Sequence, residues 1–199
     1  MARTVGSAAE ETRQRILDVA RRLVVERGYA GTSVRDIAEQ LTMTKGSLYY
    51  HFASKDDLLF ALITPLVEAL DAFVVEVGTA GRMNAALVAH LVEVLDEHAP
   101  LLRSLFGDPS VVRGMLQRHQ LPKLMIALQE TVGGGTDPAA LLRARCVLGV
   151  IHAGVVAPSD PTAKAADPCR PARPQPRLSE AEKAFVTRAA LAVLGVPPL

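Results

Sequence analysis

Aromatic side chains make up only 4% of this 199-residue chain. That is too few to favour a site in which a flat cationic ligand is stacked between rings. The two cysteines, Cys146 and Cys169, supply neither a disulfide framework nor the ligand set of a zinc site. Long apolar runs are also missing. The longest, Cys146 to Ala157, falls short of a bilayer crossing and contains His152. The opening MARTVGSAAEE lacks the apolar stretch of a signal peptide. Neither sign of charge dominates: the net charge of +1 excludes a generally basic nucleic-acid coat. The five histidines are scattered, and neither a Gly-rich phosphate loop nor a nucleophile–base arrangement is present. An enzyme is therefore not expected, and no cofactor or metal is implied. No segment alternates with period two for long enough to make a sheet, and there is no internal repeat. These absences leave a cytoplasmic helical protein with no membrane partner, and the 49% hydrophobic content excludes a disordered chain.

The most informative stretch runs from Thr32 to Lys55, TSVRDIAEQLTMTKGSLYYHFASK. Val34, Ile37, Ala38 and Leu41 fall at helical spacing on one face, and Ser33 with Asp36 forms the pattern of a capping box. Three residues, Thr42 to Thr44, break the pattern. Thr44 then caps a second helix whose inward pair is Leu48 and Phe52. Helix, short break and helix with a polar outer face is the plan of a helix-turn-helix. On the outer face stand Lys45, Ser47, Tyr49, Tyr50 and His51, with Lys55 just beyond. Gly46 lets backbone approach a groove closely. Lysines neutralise phosphates, and hydroxyls and imidazole hydrogen-bond phosphates or base edges. The basic excess is local. Through Lys55, nine Lys and Arg stand against six Asp and Glu, which suits a small phosphate-contacting footprint.

The string from Glu10 to about Leu62 resembles the DNA-binding domain of the TetR (tetracycline-repressor) family of bacterial transcription regulators. The matching residues are Ile16-Leu17, Ala20, Leu23, Gly28-Tyr29, Thr32-Ser33-Val34 and Ile37-Ala38. Lys45 to Phe52 and Ser54 to Leu59 complete them. The match covers about a quarter of the chain. Where Thr42 stands the family usually has Gly, in a turn position that tends to need positive φ, which is awkward for a β-branched residue. The resemblance places Arg13 and Arg15 near a phosphate and Arg35 where some relatives reach a base. With Thr32, Ser33 and Thr44, these join the outer-face residues as DNA-contact candidates; plain surface arginine explains Arg13 and Arg15 equally well.

The rest of the chain reads as further helices. Residues 1 to about 9 read as a flexible arm, and Glu10 to Arg27 as the first helix. Ser54 caps a long helix through Leu58, Leu62, Leu66 and Phe73, with Pro65 as a kink or break. Arg82 to Ala99 forms another, and Pro100 separates it from a short piece at Leu101–Phe106. Shorter helices follow at Val111–His119 and from Pro122 to Val132, ended by three glycines. Asp137-Pro138 opens a strongly apolar helix to about Ala157. Residues 158 to 178 are a Pro-rich loop, and Ser179 with Glu182 caps the last helix. The fold class is all-α with about nine helices, divided into an N-terminal DNA-binding unit (1–53) and a helical effector-binding and dimerisation unit (54–199).

The last two helices are apolar over a wide face that calls for a partner. The resemblance implies a homodimer through a four-helix bundle. Leu142, Cys146, Val150 and Ala153 on one helix, with Phe185, Ala189 and Val193 on the other, are its interface candidates. Cys146 is expected to be buried. A dimer would read an inverted-repeat operator in double-stranded DNA. The resemblance further implies a small-molecule effector among the middle helices, with Phe73, His90, Leu91, Val94 and Phe106 as candidates. Met115, His119, Met125 and His152 complete that set. Most of these apolar positions are equally well explained as core, and His152 as a core histidine. His90, Glu93 and Glu97 share a face at metal-ligand spacing, although acids on a solvated face give the same spacing. The implied function is a ligand-released repressor. The alternative is a small-molecule sequestering protein that keeps the fold without an operator, for which Thr42 is the only sequence support.

Overall fold

The computed structural model describes residues 5–106, 111, 113–114, 121–157 and 176–196. Among these there are eight α-helices and no strand. They are α1 (Val5–Arg27), α2 (Val34–Gln40), α3 (Lys45–His51), α4 (Lys55–Ala80) and α5 (Ala85–Phe106), then α6 (Leu121–Gly133), α7 (Pro138–Ile151) and α8 (Glu180–Leu194). A π turn, His152–Val156, extends α7.

Local chemistry explains most boundaries. Ser33 and Asp36 close a reciprocal capping box on α2, and Ser179 and Glu182 do the same on α8. Thr44, Ser54 and Asp137 cap α3, α4 and α7 by accepting from backbone N–H groups. Asn84 accepts from Leu87 N–H at the start of α5, so that helix begins at Ala85 rather than Arg82.

Three expectations change. The supposed arm is helical from Val5, because Ala8, Ala9 and the following acids are good helix formers that extend α1. Pro65 lies inside an unbroken α4, and Pro100 inside an unbroken α5. A proline in a helix interior costs about 3 kcal/mol. In each case the apolar stripe beyond it repays that cost. Leu66, Leu70 and Phe73 are buried after Pro65, and Leu101, Leu102 and Leu105 after Pro100. The helix expected at Val111–His119 and the loop at 158–178 lie largely outside the described residues.

The buried residues form two clusters. One joins α1, α2 and α3 to the first turns of α4, through Ile16, Ala20, Ile37, Leu48, Phe52 and Leu58. Leu101 and Leu105, from the far end of α5, also belong to it. The other fills the space between the rest of α4 and α5 and the helices α6, α7 and α8. Close approaches there require glycine. A Cβ on Gly133 would fall onto the Ala140 carbonyl of α7, and one on Gly154 would collide with Val186 of α8. The helix that holds the Cys146–Ala157 run is longer than the run. Pro138–Val156, like Lys55–Ala80, is long and apolar enough to cross a membrane by length and composition. Both helices give a face to the core instead, with Ala140, Ala144, Val147 and Ile151 buried on α7.

Candidate nucleic-acid interface

The turn between α2 and α3 is built by backbone hydrogen bonds. Thr42 N–H donates to the Glu39 carbonyl (3.1 Å), and Met43 N–H to the Ala38 carbonyl (2.9 Å). These two bonds are a Schellman closure of α2, with Thr42 in the position that glycine normally takes. Thr42 has φ 55°, and it is the one non-glycine residue with positive φ among the described residues. The β-branched residue therefore occupies the left-handed region, as the sequence comparison with the family implies.

This turn aims α3. Leu48 (1% exposed) and Phe52 (3%) anchor its inner side in the first cluster. On the opposite side Lys45, Gly46, Ser47, Tyr49 and Tyr50 are exposed, and Tyr50 at 84% is the most exposed large hydrophobic side chain described. His51 is half-buried, with its ring edge-on to Tyr50. Thr44 is exposed, and its hydroxyl accepts from Ser47 N–H. Ser33 and Arg35 are exposed at the start of α2, and Arg35 is paired with Glu39 (2.6 Å) on the next turn. That hydrogen bond, then the Glu39 charge, pushes the Arg35 pKa further up, so its charge is permanent. The Ser33 hydroxyl and backbone N–H hold the Asp36 carboxyl below the usual carboxylate range.

Three candidates serve the scaffold. Thr32 is buried, and its hydroxyl donates to the Gly28 carbonyl, so it holds the α1–α2 connection and is closed to a ligand. Lys55 Nζ donates to the Tyr29 carbonyl (2.7 Å) and sits over the Tyr29 ring. Tyr29 hydroxyl in turn donates to Asp56. Lys55 thus ties the first loop to the start of α4. Arg13 lies over Phe52 and donates to the His51 carbonyl at 3.4 Å, near the α3 C-terminus. No sequence pattern within a window of one helix announces the Tyr29–Lys55–Asp56 link, because its partners come from two elements 26 residues apart.

Of the effector candidates, Phe73, Leu91 and Val94 share the second cluster, with Met125 packed against it. Phe73, Leu91 and Val94 are closed core. His90 is exposed, bonded to Glu76 (2.7 Å) with its ring against Phe73. Met125 is half-buried on α6. His152 is exposed rather than enclosed, because the π turn carries it to the outer side of α7. Met115, His119 and the Phe106 side chain lie outside the described residues. A cavity of about 330 Å³ lies between α5 and α8, lined by Ala85, Ala89, Glu93, Lys183 and their neighbours, and none of the candidates among the described residues lines it. The metal-ligand spacing of His90, Glu93 and Glu97 does not build a site either. Glu93 faces Lys183 (2.9 Å) while His90 faces Glu76.

The dimer candidates share one condition: none is buried. Phe185 is 66% exposed, Leu142 54% and Val193 38%. Cys146 and Ala153 are exposed, and Val150 and Ala189 are half-buried. Cys146 is therefore a correction, a free thiol facing outward in the single chain. Ala140, Ala144, Val147 and Ile151 take the inward side of α7.

The sequence of this interface is also found elsewhere. Residues 16–62 match the family model described as bacterial regulatory proteins, tetR family. An HTH-type transcriptional repressor of Mycobacterium tuberculosis is 35% identical over 107 residues, 53% of this chain and 57% of that protein. A Pseudomonas putida protein named as the uncharacterized HTH-type transcriptional regulator TtgW is 34% identical over 116 residues, 58% of this chain and 84% of its own length. The chain spans between 32% and 57% of the first three curated relatives it matches. In three dimensions a transcriptional regulator from Aquifex aeolicus has the same fold, with TM-score 0.62 at 20% identity over 92% of this chain and 98% of that one. The matched segment holds α2, the Thr42 turn and α3, and the fold around it is all-helical throughout the described residues. This chain belongs to the tetR family of bacterial regulatory proteins.

Proposed function

We propose that the protein is a cytoplasmic, homodimeric repressor that binds an inverted-repeat operator through α3 and is released by a small-molecule effector. The observation that carries this reading is the two-sidedness of α3. Leu48 and Phe52 are locked into the core while Lys45, Tyr49 and Tyr50 are presented outward. Residues 1–53 form the DNA-reading unit, and 54–199 the dimerisation and effector unit. Lys45 neutralises a phosphate, Gly46 lets the backbone close on the groove, and Ser47, Tyr49, Tyr50 and His51 hydrogen-bond phosphates or base edges. Arg35 swings from Glu39 to a guanine, for which a bidentate guanidinium is suited. Ser33 and Thr44 stay engaged as caps; Ser33, whose hydroxyl proton goes to Asp36, offers a remaining lone pair, and Thr44 its hydroxyl proton, at the protein–DNA boundary.

One helix-turn-helix reads few base pairs, and two held by a two-fold axis read half-sites about 34–36 Å apart. The outward apolar faces of α7 and α8 support that pairing. Burying Phe185, Leu142 and Val193 against the same residues of a second copy removes apolar surface that a monomer leaves in water. Effector release requires a ligand that prefers the arrangement incompatible with DNA. The sequestering alternative gains nothing from Thr42, because the turn closes with both Schellman bonds in place.

Selection from random-sequence DNA with the purified chain tests the reading. A recovered inverted repeat, bound with a loss of about tenfold or more by Lys45→Ala or Tyr49→Ala at unchanged helicity, supports it. Binding that is equally weak for all sequences overturns it.

A further inference from the structure

Two charges on α5, the buried Asp96 and the half-buried Arg103, have no part in DNA contact, and each answers the end of another helix. Asp96 is 1% exposed. Its Oδ1 accepts from Leu178 N–H (3.0 Å), just before the α8 N-cap. Its Oδ2 has no hydrogen-bond partner, and the Lys183 ammonium on α8 lies 3.7 Å away. Arg103 lies seven residues further along, on the same face of α5 about 10 Å away. It donates to the Val155 carbonyl (2.6 Å) in the π turn that ends α7. The carboxylate thus meets the N-terminal end of α8, where orphan N–H groups and the helix dipole favour negative charge. The guanidinium meets the C-terminal end of α7, where orphan carbonyls favour positive charge. Burial pulls the Arg103 pKa down and Asp96 counteracts it, so the two charges feel one another. Buried charges are costly unless their partners are held in place. This arrangement therefore fixes where α7 ends and where α8 begins relative to α5.

The same helix continues into the DNA-reading unit, where Leu101 and Leu105 are buried with Ile16, Ala20 and Leu48. We propose that α5 is the strut that holds the α7–α8 pair and the DNA-reading unit in one geometry, with Asp96 and Arg103 as its positioning residues. Building on the dimer proposed above, these residues set the separation of the two recognition helices without touching DNA. A displacement of α8 near Lys183 then reaches α1 through α5 as well as through α4.

The test uses the full chain, the operator recovered by selection and a DNA carrying a single half-site. Asp96→Asn keeps the acceptor for Leu178 and removes the charge facing Lys183. Asp96→Asn and Arg103→Met are each expected to speed amide hydrogen exchange in Glu180–Leu194 or the π turn, with α2 and α3 unchanged. Each also lowers the preference for full operator over half-site by about tenfold. Lys183→Arg retains that preference and Lys183→Met does not. Equal losses on both DNAs with faster exchange throughout would reduce these residues to general stabilisers and overturn the proposal. Unchanged exchange and unchanged preference overturn it too. If the wild-type chain itself shows no preference for the full operator, the dimer reading fails. The strut then stands or falls on whether the faster exchange is confined to α7 and α8.

Discussion

The DNA-reading unit and the α7–α8 pair solve opposite problems with the same helical material. Around α2 and α3 every large apolar side chain except the two tyrosines is turned inward, both helices start on a side-chain cap, and the outer face is polar. On α7 and α8 the inner side mixes small residues such as Ala144 and Ala190 with Ile151 and Leu191, while Leu142 and Phe185 point outward. The first region is finished within one chain, so its outer face can be given over to polar recognition. The second leaves large apolar side chains exposed in the single chain, which is where the proposed dimer would close.

The sharpest way to break this contrast is at the completed core. Leu48→Ala removes a side chain that is 1% exposed between α1 and α2. A buried Leu→Ala change costs about 2–5 kcal/mol. Because the unit around α3 is small, the loss is expected to melt it before the body of α4 to α8. Calorimetry should show an early transition, and DNA binding should vanish with it. A single unchanged transition would mean that both clusters unfold as one and that Leu48 is less critical than its burial implies.

A change of the same severity in the second region should behave differently. Phe185→Glu places a charge on a residue that is 66% exposed in the single chain. The monomer should keep its helicity and lose association by about 2 kcal/mol or more, as at an aromatic anchor of an interface. Sedimentation at several concentrations reads this directly. A wild-type chain that is monomeric throughout would remove the reason for the exposed apolar face.

The two capping boxes give a smaller effect that treats both regions alike. Hydrogen bonds from Ser33 hold the Asp36 carboxyl below its ordinary range, and those from Ser179 do the same to Glu182. A depressed carboxylate adds stability above its unfolded pKa, and that contribution disappears as pH falls through the folded value. Ser33→Ala and Ser179→Ala should each cost about 1 kcal/mol at neutral pH. The difference from wild type should shrink in acid below the ordinary carboxylate range. A gap that stays constant down to strongly acidic pH would show that the caps work without the carboxylates.

How much the sequence discloses follows the same division. The caps of α2, α3, α4, α7 and α8 could be read directly, because each is a contact between residues two or three apart. Thr42 could be placed in its turn for the same reason. Pro100 reads as a break in the sequence and is none in the structure, because its local penalty is set against burial supplied by distant helices. Periodicity on α7 does not separate Cys146 from the inward Ala144, Val147 and Ile151, so its exposure in the single chain has no local signal. Asp96 gave no local signal at all. Its meaning lies in Leu178 and Lys183, more than eighty residues on. The Lys55 link to Tyr29 is hidden for the same reason.

The smallest expected effect returns to the turn that separates the two helices of the motif. A non-glycine residue in the left-handed region costs roughly 1–2 kcal/mol, and Thr42 has φ 55° there. Glycine removes that cost but adds about 0.4–1 kcal/mol of unfolded-chain entropy. Thr42→Gly should therefore stabilise the protein by less than about 1 kcal/mol, raising Tm by roughly 2 °C in a chain of this size. Thr42→Val keeps the branched Cβ and loses only the hydroxyl, so it should not share the gain. If valine stabilises as much as glycine, the strain at this position is not in the backbone. Both Schellman bonds run through main-chain atoms that the substitution leaves alone. Glycine should thus leave the aim of α3 and the operator affinity nearly unchanged. A large change in affinity at constant stability would instead mean that the rigidity of a β-branched residue helps orient the recognition helix.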